Sequence, residues 1–148
     1  MDDNKVSHIA AFSTAKFAVP EIRKAGGGSI LSIASITRST TTYSYPAYSA
    51  LKMGVVMMTS SFASLLASDN IRVNCICPSF IELIAPEFLL SFGNEWEADV
   101  KTYVESIPLE RIGKPEEVAL AAFFLVSDEA SCITGINLPF ERRISSPS

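Results

Sequence analysis

The chain predicts an α/β fold, a parallel sheet with helices on both faces. Two observations predict it. Segments with helical spacing alternate with short apolar runs in the order helix, strand, helix, strand, helix, strand, and such alternation implies parallel strands joined by helical crossovers. The apolar runs 29–35 and 71–77 are continuous rather than alternating, which suits strands covered on both faces. With 148 residues and no internal repeat or low-complexity linker, the expectation is one domain with its own core.

The elements follow in order. Residues 8–24 read as a helix, with Ile9, Phe12, Ala15, Lys16 and Val19 spaced for one face and Pro20 thinning the last turn. Gly26, Gly27 and Gly28 end it in a sharp turn. The run 29–35 is the first strand, and the polar, β-branched stretch 37–46 is a loop. Residues 47–67 form the longest helix, with Leu51, Val55, Met58, Phe62 and Leu65 as its apolar stripe. Turn chemistry at Ser68, Asp69 and Asn70 precedes the second strand, 71–77, which stops at Pro78. The long excursion 79–109 reads as a lid over a binding site, apolar in patches at Phe88, Phe92 and Trp96. Pro115, Glu116 and Glu117 open a further helix with Val118, Ala121, Ala122 and Leu125 on its apolar face, and 132–138 is a last short strand.

Composition sets bounds on function. The hydrophobic fraction is 48% and the charged fraction 19%, a globular composition. A net charge of −4 with no basic stripe argues against nucleic acid as a partner. No run of about 18 apolar residues is evident, so no membrane span is expected. The first residues lack the pattern of a secretory signal, and the expected location is cytoplasmic. Cys75, Cys77 and Cys132 make no metal pattern; Cys75 and Cys77 are expected to be buried thiols in a reducing compartment.

The chemistry is carried by Ser35, Tyr48 and Lys52. A separation of four residues in a helix stacks Tyr48 and Lys52 on one face. An isolated tyrosine titrates near about 10. An ammonium about 4 Å from it contributes roughly 4 kcal/mol at an effective dielectric of about 20. That suffices to bring a phenol within reach of proton transfer near neutral pH. Ser35, thirteen residues before the tyrosine, adds a hydroxyl that can bond a substrate oxygen. Together the three suit moving a proton on and off a C–O group. His8 carries no such pattern and is expected to be structural.

The chain resembles the short-chain dehydrogenase/reductase family, of the 3-oxoacyl reductase-like type. The likeness rests on Gly27-Gly28-Ser29-Ile30, on Ser35, on Tyr48-Ser49-Ala50-Leu51-Lys52, and on Ile71-Arg72-Val73-Asn74 with Pro78. It continues through Arg111-Ile112-Gly113-Lys114-Pro115-Glu116-Glu117-Val118 and Ser127-Asp128-Glu129-Ala130 into Ile133-Thr134-Gly135. The resemblance implies a Rossmann-like sheet and hydride transfer between NAD or NADP and a small carbonyl or secondary alcohol. It implies that Ser35 holds the carbonyl oxygen, Tyr48 is the general acid or base, and Lys52 tunes the tyrosine and binds the nicotinamide ribose. It places Pro78, Ser79, Phe80 and Ile81 against the cofactor, and it implies a homo-oligomer through helix 47–67.

The departures from the family pattern are specific. No glycine-rich strand-to-helix turn is present to cradle a pyrophosphate, so 1–148 is expected to be the C-terminal part of a Rossmann-like dehydrogenase domain, a partial sheet. Ser7 stands where the family has a proton-relaying asparagine. Ser79 follows Pro78 in place of glycine, and Leu83 replaces a threonine that bonds the carboxamide. Phe140-Glu141-Arg142-Arg143 stands where two glycines often close the domain. Two alternatives to an enzyme therefore stay open: a truncated, non-catalytic fragment, and an interaction module built on helix 47–67.

Overall fold

The computed structural model describes residues 6–36, 46–79, 81–82, 104–105 and 107–140. Helix α1 runs Val6–Lys24, strand β1 Gly28–Ile33, helix α2 Pro46–Leu66, strand β2 Ile71–Cys77, helix α3 Pro115–Val126 and strand β3 Asn137–Pro139. The strands form a parallel sheet in the order β1-β2-β3, with Gly28 opposite Ile71 and Cys75 opposite Asn137. The expected α/β order of elements and parallel pairing are both present. The loop 37–45, Ser7's side chain, Leu83, most of 79–109 and the terminus from Glu141 lie outside the described residues.

α1 ends where backbone geometry demands glycine. Gly26 and Gly27 have φ of +89° and +129°, and a Cβ on Gly27 would lie 2.5 Å from the Asn70 carbonyl oxygen. The same carbonyl accepts the Gly28 amide at 3.0 Å, and the Asn70 side-chain amide donates to the Gly26 carbonyl at 3.2 Å.

Helices α1 and α2 cover one face of the sheet. Val19, Ala63, Leu66, Ile71 and Val73 form one buried cluster, and Ala34, Val55, Val56, Cys75 and Cys77 form another. On the other face, the Ser29 hydroxyl donates to the Leu125 carbonyl at 3.4 Å. Arg72 donates to the carbonyls of Leu125, Val126 and Ser127 at 2.7, 3.2 and 2.9 Å. The last carbonyls of a helix lack partners within it, and one guanidinium here serves two of them and the carbonyl of Ser127 just past the end.

Three expectations about the bounds and faces of these elements need correction. The first strand stops at Ile33 rather than reaching residue 35, although pairing continues past it. The last strand is three residues, Asn137–Pro139, rather than 132–138. Val73 accounts for this: its amide donates to the Thr134 hydroxyl at 3.0 Å, so a side chain takes the place of a strand carbonyl there. The buried stripe of α2 is Val55, Val56, Thr59, Ala63 and Leu66, while Leu65 is exposed. The helix packs on β2 and, along its flank, on α1, and close approach on two sides selects small side chains that an apolar count passes over. Thr59 meets burial by donating its hydroxyl to the Val55 carbonyl at 2.9 Å.

Residues Ala47–Asp69 have a mean hydropathy of 1.5 and are long and apolar enough to cross a membrane by length and composition alone. That runs against the expectation of no such run. The core helix of a sheet protein passes the same test, and one side of α2 is packed on β2.

Candidate active site at the carboxyl ends of the strands

The sequence-predicted groups converge where β1 and β2 end. Beyond Ile33 the chain stays paired: Ala34 donates its amide to Ile76 at 2.8 Å and Ile36 donates to Pro78 at 2.9 Å. Ser35 lies between these two bonds, half-buried, beside the Cys77–Pro78 turn. Strand ends of this kind are the usual ligand crevice of parallel α/β sheets.

α2 brings the other two groups to the same place. It opens on Pro46, whose missing N–H costs nothing in a first turn. Tyr48 and Lys52 follow on one face, one turn apart. The Lys52 ammonium lies 5.7 Å from the Tyr48 ring centroid, within cation–π range. It also donates to the Ile33 carbonyl at 3.3 Å, two residues before Ser35. Tyr48 is 37% exposed, so solvent and small molecules reach it.

Pro78 and Ser79 are half-buried at the mouth of β2; Phe80 lies outside the described residues. Ile81 makes a parallel bridge with Gly113, and Glu82 donates its amide to the Gly113 carbonyl at 3.0 Å. This neck joins the start of the 79–109 excursion to the segment that follows it. A cluster of charges steadies it: Arg111 grips Glu117 with two bonds of 2.9 and 2.6 Å, and Glu117 accepts the Lys114 amide at 2.8 Å. The Arg111 guanidinium, then the Lys114 amide, hold the Glu117 carboxyl down at about 2. Sequence reasoning placed Glu117 in the first turn of a helix and Arg111 and Gly113 in a family motif, but gave none of them a part in this neck. The legible signal was an acid three residues into a helix that starts with proline, the spacing at which a side chain can return to the cap amide.

The described residues fit the nicotinamide end of a dinucleotide. An ammonium has three donors, and the Ile33 carbonyl takes one of Lys52's, leaving donors suited to ribose hydroxyls. The pyrophosphate end is different: among the described residues no glycine-rich turn leads from a strand into a helix, and Gly26–Gly28 leads from α1 into β1. Cys75 and Cys77 are buried as expected; a hydrogen bond with Cys77 and burial push the Cys75 thiol well up, so it stays protonated. Cys132 is exposed.

Comparison with known proteins gives a consistent picture. The family model described as Enoyl-(Acyl carrier protein) reductase matches residues 3–141. The 3-oxoacyl-[acyl-carrier-protein] reductase FabG of Thermotoga maritima is 40% identical over 124 residues, covering 84% of this chain and 48% of that protein. Dehydrogenase/reductase SDR family member 4 of Oryctolagus cuniculus is 38% identical over 122 residues, covering 81% of this chain and 45% of that one. Among solved structures, a short-chain type dehydrogenase/reductase from Mycobacterium ulcerans superposes with a TM-score of 0.76 at 34% identity, over 87% of this chain and 46% of that chain. The L-sorbose reductase of Gluconobacter frateurii, complexed with NADPH and L-sorbose, gives 0.79 at 31% identity, over 90% and 53%. The chain spans about half the length of the curated relatives it matches.

Proposed function

Since the chain belongs to the short-chain dehydrogenase/reductase family, we propose that it carries the catalytic groups of an oxidoreductase that uses NAD or NADP on a carbonyl or secondary alcohol. One observation carries the proposal: Lys52 is tied to the end of β1 beside Ser35 while standing over the Tyr48 ring. The bound nicotinamide supplies or accepts the hydride. Ser35 donates a hydrogen bond to the substrate oxygen. Tyr48 gives that oxygen a proton in reduction and removes it in oxidation. Lys52 sets a positive charge where negative charge develops on the phenol oxygen, and its remaining donors hold the ribose. Pro78 to Ile81 wall the nicotinamide, and 79–109 closes over an apolar substrate as a lid.

The relatives' names favour a 3-oxoacyl thioester as the trial substrate, and the family model's description makes an enoyl thioester the comparison. A hydroxyl that bonds oxygen supports the former. Buried thiols support a cytoplasmic location. Exposed Met57 and Leu65 on α2 support a homo-oligomer through helix 47–67, and they also support the second reading, an interaction module.

The test is a titration of the chain with NADH and with NADPH, read by nicotinamide fluorescence, followed by turnover of both thioesters. Saturable binding of either nucleotide with turnover of the 3-oxoacyl thioester supports the reading. A folded chain that turns over the enoyl thioester alone sinks the assignment of a carbonyl substrate.

A further inference from the structure

Pro78, Ser79 and Ile81 leave the end of β2 as a short wall that is pinned twice. The Pro78 carbonyl accepts the Ile36 amide at 2.9 Å, one residue past Ser35. Three residues on, Ile81 pairs with Gly113, whose carbonyl accepts the Glu82 amide at 3.0 Å. A parallel bridge uses the backbone groups of the residues beside Ile81 and turns its own N–H and C=O to the other side.

The second pin is built by a carboxylate that brackets Gly113. Glu117 accepts two bonds from the Arg111 guanidinium, at 2.9 and 2.6 Å, and one from the Lys114 amide, at 2.8 Å. Arg111 stands two residues before Gly113 and Lys114 one residue after it. Arg111 also donates to the Ile112 carbonyl at 3.2 Å, and the Lys114 carbonyl accepts the Glu117 amide at 3.0 Å. Gly113 is itself buried. A single exposed ion pair fixes little, but a two-point fork combined with a main-chain bond holds one geometry. Glu117 is in turn anchored. It sits in the first turn of α3, and Arg72 of β2 holds the Leu125 and Val126 carbonyls at the far end of that helix. The path from β2 through Pro78, Ile81, Gly113 and α3 back to β2 is therefore a closed ring.

We infer that Arg111 and Glu117 are positioning residues for the nicotinamide site: by fixing Gly113 they set the place of Ile81, and so the shape of the wall. The inference deepens the cofactor reading and rests on it. It requires no contact between either side chain and the cofactor. Without the carboxylate, the Gly113 backbone loses a bond on one flank and the fork on the other, and the wall keeps only its Pro78 pin. Part of the binding energy then goes into ordering Ile81, which shows as lost affinity.

The test uses the 148-residue chain labelled with 15N. The probe is reduced nicotinamide mononucleotide, which carries the nicotinamide and its ribose alone. Glu117→Ala should raise the dissociation constant, read by nicotinamide fluorescence, at least about fivefold. Exchange of the Glu82 amide should quicken at least about tenfold, while the Ala34 amide, bonded to Ile76, keeps its rate. Glu117→Gln should recover most of both losses, since an amide oxygen can still take the cap N–H. Glu116→Ala removes the neighbouring acid of the same turn and should change neither reading. If Glu117→Ala does not fold, Arg111→Met, which keeps the stem and removes the fork, should show the same two shifts. Equal quickening at Ala34 marks a global loss of stability and overturns the inference. A parent chain that binds no mononucleotide removes the cofactor reading and this inference with it. A parent that binds, with Glu117→Ala binding equally well, removes this inference alone.

Discussion

Lys52 reaches the Ile33 carbonyl at 3.3 Å across nineteen residues of sequence, from the second turn of α2 to the last residue of β1. The bond fixes the ammonium against the strand that delivers Ser35. Lys52→Met should therefore lose both the charge and the tether. Turnover should fall at least about a hundredfold, the lower end of what positioned proton-transfer groups contribute. The melting temperature should drop modestly, since one such bond is worth about 1 kcal/mol. Lys52→Arg should not restore the rate, because a planar fork does not take the place of a compact ammonium. Initial rates and thermal melts of the two variants check this.

Tyr48→Phe separates chemistry from folding. The ring is partly exposed and its hydroxyl is the only atom lost. Turnover should fall by about two to four orders of magnitude with the melting temperature nearly unchanged. Rates that survive the change remove Tyr48 from the reaction.

Glu117 gives a pH dependence with a definite sign. Its carboxyl is held at about 2 by Arg111 and the Lys114 amide, below the ordinary 4.5. A depressed carboxyl stabilises the folded chain fully above its unfolded value and loses that contribution as the pH falls through the folded one. The parent's melting temperature should therefore fall more steeply than that of Glu117→Gln between about pH 4.5 and 2, and the two curves should run parallel above that window. Melts across the range check it.

Gly27→Ala should be among the most damaging small substitutions. The new methyl carbon would sit 2.5 Å from the Asn70 carbonyl oxygen at a φ of +129°. The expected loss is on the order of 1–3 kcal/mol for forced backbone strain, read from urea unfolding midpoints. Gly26→Ala meets no atom within 4 Å and should cost less.

The α2 surface makes a prediction about assembly. Met57 is 59% exposed and Leu65 66%. A charge at either, Met57→Glu or Leu65→Glu, should halve the mass in solution if 47–67 is the shared face. Phe62 is a poorer probe, because it stacks on Phe12 with ring centroids 6.0 Å apart within the same chain. A mass that is the same in parent and variants rules out that face.

Much of the fold was legible because strands and helices differ in period. Ile71–Cys77 is bounded by Asn70, in the left-handed region at φ +56°, and by Pro78, and both ends could be read from residue type. Tyr48 and Lys52 were legible because helical spacing alone puts them together. The shorter β3 was not, since the Thr134 hydroxyl replaces a backbone acceptor for Val73 and no pattern announces that. The buried stripe of α2 was displaced for a related reason: contact on two sides favours Thr59 and Ala63, which an apolar count ranks low. The neck at Ile81 and Gly113 joins residues more than thirty apart, and such pairings leave no local trace.

The interlocked turns at Gly27 and Asn70 have a consequence at the other end of the sheet. Each strand begins against the other's turn, with Gly28 bonded to Asn70 and Asn70 bonded to Gly26. A slip of one residue between β1 and β2 would break both of these bonds and turn the side chains of the slipped strand to the opposite face of the sheet. The turn acts as an end stop from which both strands are counted, six residues along β1 and seven along β2. Ser35 and Pro78 therefore arrive side by side because of a lock at the opposite end of the sheet. A lesion there would misalign the reacting groups without touching any of them.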